Sequence, residues 1–187
     1  FCKKKHLSML QFGDVAVKGL LVGQILGRWG NFFNREAFGS YTNSLFAMQI
    51  PTNFFIEHGR IDEIVSNGLY DKATYVVSGN EAATFIQVHP TFLYELLWNI
   101  GVLAVVLLWT KKRKYKGQLF LIYLCGYGLG RCWIEGLRTD QLKFFGTQIA
   151  ISQILSAVLF LGAASILLWK AVKAKREKNA QESIVKD

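Results

Sequence analysis

The sequence is poor in the residues that build metal and redox sites. It has only three cysteines and three histidines among 187 residues. Cys2, Cys125 and Cys132 lack metal-ligand spacing, and an odd number of cysteines does not form a closed disulfide set. The chain also lacks a Ser-His-Asp pattern and a phosphate-binding glycine loop. The sequence therefore predicts no metal site and none of these familiar catalytic motifs.

Acidic residues are scarce relative to basic ones, with 13 against 22 and a formal net charge of +9. A nucleic-acid surface would spread its Lys and Arg along one face of a polar domain. Here the basic residues form short blocks beside apolar runs, at residues 3–5, 111–116 and 170–178. Hydrophobic residues make up 51% of the chain and mean hydropathy is positive. This pattern predicts an integral membrane protein and no nucleic-acid partner.

Four segments are predicted to cross the membrane. Residues 144–169 include no charged residue over 26 positions, which exceeds the roughly 20 that a bilayer core requires. The weakest segment is 12–33, where only residues 19–27 are free of charge. Four spans place 14 Lys and Arg on the side of the chain ends and five on the other side. The positive-inside rule then predicts cytoplasmic ends.

We therefore predict an all-α membrane protein with four transmembrane helices and a small mixed α/β external head subdomain. Alternating residues at 74–77 and 83–88 predict strands, and residues 56–66 a helix. The tail from Ala174 onward is polar and predicted to be a frayed or disordered helix end. The predicted segments are a cytoplasmic segment 1–11, a span 12–33, the head 34–89, a span 90–110, a cytoplasmic loop 111–116, a span 117–136, an external loop 137–147, a span 148–170 and a cytoplasmic tail 171–187.

Two local interpretations concern the ends of these spans. Asp14 and Lys18 lie four residues apart and are predicted to pair with each other. Pro90 is predicted at the first helical position of its span, with His89 as the cap.

Polar residues within the spans are the candidates for function. Gln24, Arg28 and Asn31 share one face of the first predicted helix. Tyr127, Arg131 and Glu135 make a polar stripe on the third. Glycines are predicted to form packing faces beside both stripes, at Gly19, Gly23, Gly27, Gly126 and Gly130.

Each charged group at the centre of a bilayer costs about 2.5–3.5 kcal/mol on insertion scales, so its presence needs a reason. A structural explanation pairs Arg131 with Glu135 or Glu95 and lets the Arg28 side chain reach the outer headgroups. A functional explanation has Arg28 and Arg131 converge near the outer ends of their helices. Two planar guanidinium groups at that depth are suited to bind a phospholipid phosphate. This chemistry predicts a headgroup site but does not name a reaction.

Residues 27–39 read GRWGNFFNREAFG, and they resemble the signature of prolipoprotein diacylglyceryl transferases, G-R-x-G-N-F-x-N-x-E-x-x-G. The block HPTFLYE at 89–95 and the block YGLGR at 127–131, followed by Glu135 and Arg138, agree in order. The resemblance implies transfer of the diacylglyceryl group from phosphatidylglycerol to the lipobox cysteine in a prolipoprotein signal peptide, without a cofactor. It also implies a multi-pass protein of the bacterial cell membrane.

The resemblance further implies roles for individual residues. Arg28 and Arg131 are expected to hold the phosphate, and Glu135 and Glu36 to orient the arginines. The implied catalytic residues are Arg28, Arg131, Glu135 and Tyr127, and the implied phosphatidylglycerol-binding residues are Arg28, Asn31, Glu36, Gly39 and Arg131.

The start of the sequence carries a separate expectation. Phe1-Cys2 before Lys3 is typical of the last turn of a span, so we expect an N-terminally truncated fragment. The family has further N-terminal spans and a His-Gly-Gly motif whose His is proposed to help deprotonate the thiol. We therefore expect the 187-residue chain alone to be inactive.

Two other classes of function remain alternatives at this stage. A transporter or channel subunit would be expected to show inverted repeats or paired broken helices, and none is visible in the sequence. A non-catalytic lipid-binding scaffold would keep the glycine faces but would not need both Arg28 and Arg131. Loss of function on Arg28→Lys would favour the enzyme, because lysine keeps the charge but loses the planar fork.

Overall fold

The computed structural model describes residues 8–78, 81–141 and 149–184. In chain order, the helices and strands of these ranges are α1 (Met9–Phe33), β1 (Met48–Pro51), α2 (Thr52–Glu57), α3 (Ile61–Ser66), β2 (Thr74–Ser78), β3 (Glu81–Val88), α4 (Thr91–Thr110), α5 (Gln118–Glu135) and α6 (Ile151–Ile184), with a 3-10 turn at Tyr70–Lys72. The mostly helical architecture with a small sheet is as predicted.

Three of the helices are long and apolar enough to cross a membrane, namely α1, α4 and α6. Many of their apolar side chains are exposed, including Leu26, Leu108 and Leu168, as expected for helices that face lipid. The fourth predicted span corresponds to α5, which has 18 residues. α5 carries Arg131 and Glu135 and is not among the three helices that meet both conditions. The structure thus supports three spans by length and composition.

The four long helices pack as an antiparallel bundle. α1 packs against α4, and α5 packs between α4 and α6. One core cluster joins α1, α4 and α5, with Val17, Leu21, Val102, Val106, Leu119 and Tyr123. Because successive helices alternate in direction, the end of α1, the start of α4, the end of α5 and the start of α6 lie on the same side of the bundle.

Only one of the two predicted glycine faces is packed within the described residues. A Cβ at Gly126 would lie 2.9 Å from Val102, and one at Gly130 would overlap the indole ring of Trp98. These glycines let α4 and α5 approach closely. On α1, a Cβ at each of Gly19, Gly23 and Gly27 would meet nothing described within 4 Å.

The head lies between α1 and α4 and holds a three-stranded antiparallel sheet in the order β1-β3-β2. The predicted strands at 74–77 and 83–88 are confirmed, and β1 was missed. The helix predicted at 56–66 is two short helices, α2 and α3, because the chain turns at Gly59 with a φ of +64°. A separate core holds the head together, with Phe38, Ile50, Phe55, Ile64, Leu69, Ile86 and Val88.

The tail, predicted to be a frayed or disordered helix end, is helical as far as Ile184. Two local predictions are wrong. Asp14 does not pair with Lys18 but accepts hydrogen bonds from α5 and contacts Arg113. α4 begins at Thr91 with Pro90 as its N-cap, one residue later than predicted.

Candidate functional site

Arg28 and Arg131 meet on one carboxylate, that of Glu95. The Nε atom of Arg28 lies 2.5 Å from Oε2 of Glu95, and Nη1 of Arg131 lies 2.7 Å from Oε1. Glu95 is therefore bound by a guanidinium group on each of its two oxygens. The side chain of Glu95 is 6% exposed, whereas those of the two arginines are 18% and 19% exposed. The predicted convergence of the two arginines is present, with a carboxylate between them.

A second carboxylate, that of Glu135, extends the cluster. Oε2 of Glu135 lies 2.6 Å from Nη2 of Arg131, and its Oε1 accepts a hydrogen bond from the Ser152 hydroxyl at 2.7 Å. A third guanidinium, that of Arg138, lies 3.9 Å from Oε2 of Glu135. The cluster therefore continues from α5 to the first turn of α6.

The order of the helices explains why these distant residues meet. Arg28 lies near the end of α1, Glu95 near the start of α4, Arg131 and Glu135 near the end of α5, and Ser152 at the start of α6. These ends lie together in an antiparallel bundle. The alternating arrangement therefore collects the charges at one side of the bundle, beneath the head.

The geometry of the cluster leaves hydrogen-bonding capacity unused. The contact of Arg28 Nε with Glu95 has the distance of an ion pair but not the angles of a hydrogen bond. The buried amide oxygen of Gln24, one turn before Arg28, has no hydrogen-bond partner among the described residues. A buried polar atom without a partner is costly, and such atoms occur where a ligand completes the site. The Gln24 amide oxygen can thus accept a hydrogen bond from a further polar group beside the cluster.

Arg138 is held by Asp140 in the chain that follows α5. Its Nε and Nη2 atoms donate to the two carboxylate oxygens of Asp140, at 2.9 and 2.7 Å. This bidentate hydrogen bond raises the pKa of Arg138 above its ordinary value. For Asp140, burial acts to raise the pKa, but the hydrogen bond and charge of Arg138 outweigh it and the pKa is lowered. Arg138 therefore remains a cation at the edge of the cluster.

Tyr127 is not in the charge cluster. Its ring stacks on that of Tyr123, with centroids 5.5 Å apart. Tyr123 in turn accepts a hydrogen bond from the Gln24 side chain at 3.0 Å. The predicted catalytic residue Tyr127 thus belongs to a polar layer between α1 and α5, one helical turn from Arg131.

Asn31 lies in the last turn of α1, and Glu36 lies on the turn that follows this helix. The carbonyl oxygen of Asn31 accepts a hydrogen bond from the backbone of Glu36, and the exposed carboxylate of Glu36 accepts one from Asn34. Glu36 is flanked by Arg35 and Ala37, whose φ angles of +49° and +55° are unfavourable for residues other than glycine. Among the described residues Glu36 forms no ion pair with Arg28 or Arg131, and it lies on a strained turn. Its expected role in orienting the arginines stays a prediction.

Gly39 has a packing function. A Cβ at this position would lie 2.7 Å from His89 Cβ and 2.8 Å from the Leu137 carbonyl oxygen. The Gly39 backbone also donates to the His89 carbonyl and pairs with Arg138 in an isolated bridge. Gly39 thus permits three backbone segments to meet: the exit of α1, the entry to α4 and the exit of α5.

Glu95 is the residue that the sequence prediction omitted from the site. The sequence indicated it as one of two possible partners of Arg131, and as the last residue of the block at 89–95. A carboxylate in the outer half of an apolar helix was the available signal. What could not be predicted is that it pairs with Arg28 as well, because α1 and α4 are separated by the whole head.

Comparison with known proteins identifies a matching family. The family model described as prolipoprotein diacylglyceryl transferase matches residues 1–169. The chain is 36% identical over 182 residues to a Bacillus licheniformis protein, covering 97% of this chain and 59% of that protein. It is 38% identical over 173 residues to a Halalkalibacterium halodurans protein, covering 92% of this chain and 52% of the other.

A third relative, from Corynebacterium glutamicum, is 39% identical over 180 residues, which cover 95% of this chain and 51% of that protein. All three relatives are named phosphatidylglycerol–prolipoprotein diacylglyceryl transferase. The chain spans somewhat more than half the length of these curated relatives.

Proposed function

The chain belongs to the prolipoprotein diacylglyceryl transferase family, and from that premise we propose that it transfers the diacylglyceryl group of phosphatidylglycerol to a prolipoprotein. The acceptor is the thiol of the lipobox cysteine in the signal peptide. The observation that carries the proposal is the meeting of Arg28 and Arg131 at Glu95. Two guanidinium groups held at one depth in the bilayer suit a lipid phosphate.

The proposed reaction exchanges a C–O bond for a C–S bond. The thiolate, formed by loss of its proton to a base, attacks the diacylglyceryl carbon that carries the phosphate ester. The bond from that carbon to the phosphate oxygen breaks, and glycerol phosphate leaves with the bonding electrons. Negative charge grows on the phosphate as the bond breaks, so Arg28 and Arg131 would stabilise the transition state more than the substrate.

The carboxylates have a positioning role in this proposal. Glu95 fixes the arginines from α1 and α5 relative to each other, and Glu135 with Ser152 fixes Arg131 from the other side. Packing between the rings of Tyr127 and Tyr123 supports the helix face that carries Arg131. Asn31, Glu36 and Gly39 shape the turn over the cluster, where the lipid headgroup would lie.

The proposed membrane arrangement has four spans in the bacterial cell membrane, with α5 as the fourth. The packing of α5 between α4 and α6 supports this, because a helix in that position shields its polar residues from lipid. The distribution of Lys and Arg places the chain ends and the loop at 111–116 in the cytoplasm and the head outside. The arginine cluster then lies in the outer half of the bilayer.

The test uses the full-length protein in phosphatidylglycerol-containing membranes with a lipobox peptide. Wild-type protein is expected to add a diacylglyceryl mass to the peptide and to release glycerol phosphate. Arg28→Ala and Arg28→Lys are both expected to reduce turnover by roughly 10²-fold or more, because neither offers the planar fork. Mass spectrometry of the peptide measures the transfer.

The matched control is Arg60→Lys, since Arg60 forms a partly exposed ion pair with Glu63 in the head. Its turnover is expected to remain close to that of the wild type. Full activity of Arg28→Lys would contradict the phosphate-binding role of Arg28. Absence of any peptide mass gain with folded wild-type protein would reject the transferase and favour a lipid-binding scaffold.

A further inference from the structure

A basic groove lies at the end of the bundle opposite to the arginine cluster. It has a volume of about 440 Å³ and lies between the chain at 109–118 and the part of α6 at 167–178. α5 begins at this groove and reaches the arginine cluster near its other end. Its 18 residues span about 27 Å at 1.5 Å per residue. The groove and the cluster are therefore separate sites near opposite faces of a membrane.

The groove combines apolar walls with a cationic rim. Trp109 and Leu167 contribute apolar surface, while four lysines contribute charge, namely Lys114, Lys170, Lys175 and Lys178. No acidic side chain lines it among the described residues. The nearby buried Asp14 is bound by α5 and Arg113, and Glu177 lies beside Lys173. Among the described lining residues, the charges of Lys114, Lys170 and Lys175 therefore have no carboxylate in the groove to offset them.

One of the lysines is held in place by an aromatic ring. Nζ of Lys170 lies 4.4 Å from the ring centroid of Tyr115, a cation–π distance. Burial and the charge of Asp14 raise the pKa of Tyr115 above its ordinary value, so its phenol stays protonated and can donate a hydrogen bond. A fixed ammonium group and a hydroxyl donor thus lie together beside the apolar wall.

We propose that this groove binds the headgroup of an anionic phospholipid from the leaflet opposite to the arginine cluster. A soluble phosphate compound would use the lysines alone, whereas a phospholipid also covers the apolar walls. Basic pockets between helices at the cytoplasmic face are known to bind such headgroups. Because lysines offer point charges and no planar fork, the groove selects by charge and not by headgroup shape.

The experiment measures quenching of tryptophan fluorescence by chain-brominated lipid in nanodiscs that hold the full-length protein. The probe is brominated phosphatidic acid, compared with brominated phosphatidylcholine, since Trp109 lines the groove. Wild-type protein is expected to be quenched preferentially by the anionic lipid. Changing three of the four rim lysines to Gln, K114Q/K170Q/K175Q, is expected to weaken the apparent affinity for phosphatidic acid by roughly tenfold or more.

Two further variants distinguish lipid binding in the groove from electrostatic attraction to the whole basic face. K111Q/K116Q/R176Q removes as much charge from the same loop and helix at positions that do not line the groove, and it is expected to keep the preference. K114R/K170R/K175R keeps the rim charge and is also expected to keep the preference for phosphatidic acid. It controls for the effect of substituting three residues at the same positions.

Three results would overturn the proposal. Equal loss in both Gln variants would show attraction to the whole basic face and no site. Unchanged preference in the rim Gln variant would show that the groove does not bind the lipid. Full displacement by inorganic phosphate would identify a soluble ligand instead.

Discussion

At the scale of single residues, Glu95 is central to the cluster because it pairs with both Arg28 and Arg131. It is the point at which α1, α4 and α5 share a charge interaction, and it is nearly inaccessible to solvent. Removing one partner of a buried ion pair destabilises a protein by more than the intact pair stabilises it. The reason is that the remaining charge is buried without a counter-charge. Glu95 therefore holds the three helices together and, in the proposed function, positions the two arginines.

We expect Glu95→Gln to reduce transferase turnover by roughly 10²-fold. Gln keeps the shape of the side chain but cannot balance two guanidinium charges, so the arginines lose their alignment. Binding of phosphatidylglycerol should weaken less than turnover, because both positive charges remain. Steady-state kinetics and lipid binding on the same preparation measure the two effects. Glu63→Gln, in a partly exposed pair of the head, serves as the control, and equal losses in both variants would contradict the assignment.

Gly39 gives a prediction about packing. Gly39→Ala is expected to lower the free energy of unfolding by about 1–3 kcal/mol, because the new methyl group would overlap His89 and the Leu137 backbone. Gly23→Ala on α1 is the matched control, since its methyl group meets nothing described within 4 Å. Thermal unfolding in detergent compares the two. Unfolding at the wild-type temperature for Gly39→Ala would show that the three segments can move apart.

At the scale of elements, α5 is fixed at both ends by charge. Its C-terminal part carries Arg131 and Glu135, and its N-terminal end is bound by the buried carboxylate of Asp14 on α1. That carboxylate accepts hydrogen bonds from the backbone of Gly117 at 2.8 Å and Phe120 at 3.0 Å. A carboxylate at a helix N-terminus is favoured by the unpaired N–H groups and the helix dipole. Asp14 therefore sets the position of α5 against α1.

We expect Asp14→Asn to lower the apparent Tm by roughly 5 °C, because an amide replaces a carboxylate that accepts two backbone hydrogen bonds and pairs with Arg113. Glu57→Gln, at an exposed site in the head, should leave the Tm within about 1 °C of the wild-type value. Differential scanning fluorimetry measures both. Turnover of Asp14→Asn should fall less than that of Glu95→Gln; a larger fall would place Asp14 in the catalytic machinery.

At the scale of the whole molecule, the two ends of the bundle differ in net charge. One end holds paired arginines and carboxylates beneath the head, and the other holds the basic loop and the basic part of α6. The paired end balances its charges within the protein, whereas the basic end carries excess positive charge. Such an asymmetry orients a membrane protein.

The proposed orientation predicts a labelling pattern. A cysteine introduced at Asn53 in the head should react with a membrane-impermeant maleimide on intact cells. A cysteine introduced at Lys112 should react only after lysis, because the loop at 111–116 is placed in the cytoplasm. Gel-shift detection of the label in a background without the natural cysteines measures both. Labelling of the Lys112 position on intact cells would overturn the orientation.

The sequence by itself determined the positions of the apolar helices and the polar stripes upon them. Helical spacing is local, so Arg131 and Glu135 had to share one face of α5, and their ion pair required no knowledge of the fold. The pattern of alternating residues likewise predicted β2 and β3. The family signature at residues 27–39 was also readable without any structure.

Only the tertiary structure decided which charges meet. Glu95 pairs with Arg28 across 67 positions of sequence, and Asp14 binds the start of α5 across about 100. Both contacts depend on how the helices stack, which no local pattern specifies. For the same reason Gly126 and Gly130 of α5 pack against α4, whereas a Cβ on the glycines of the predicted α1 face would meet no described residue within 4 Å, although the spacing in the sequence is equally regular. Spacing along the sequence determines which side chains share a helix face, whereas the packing of the helices determines what that face contacts.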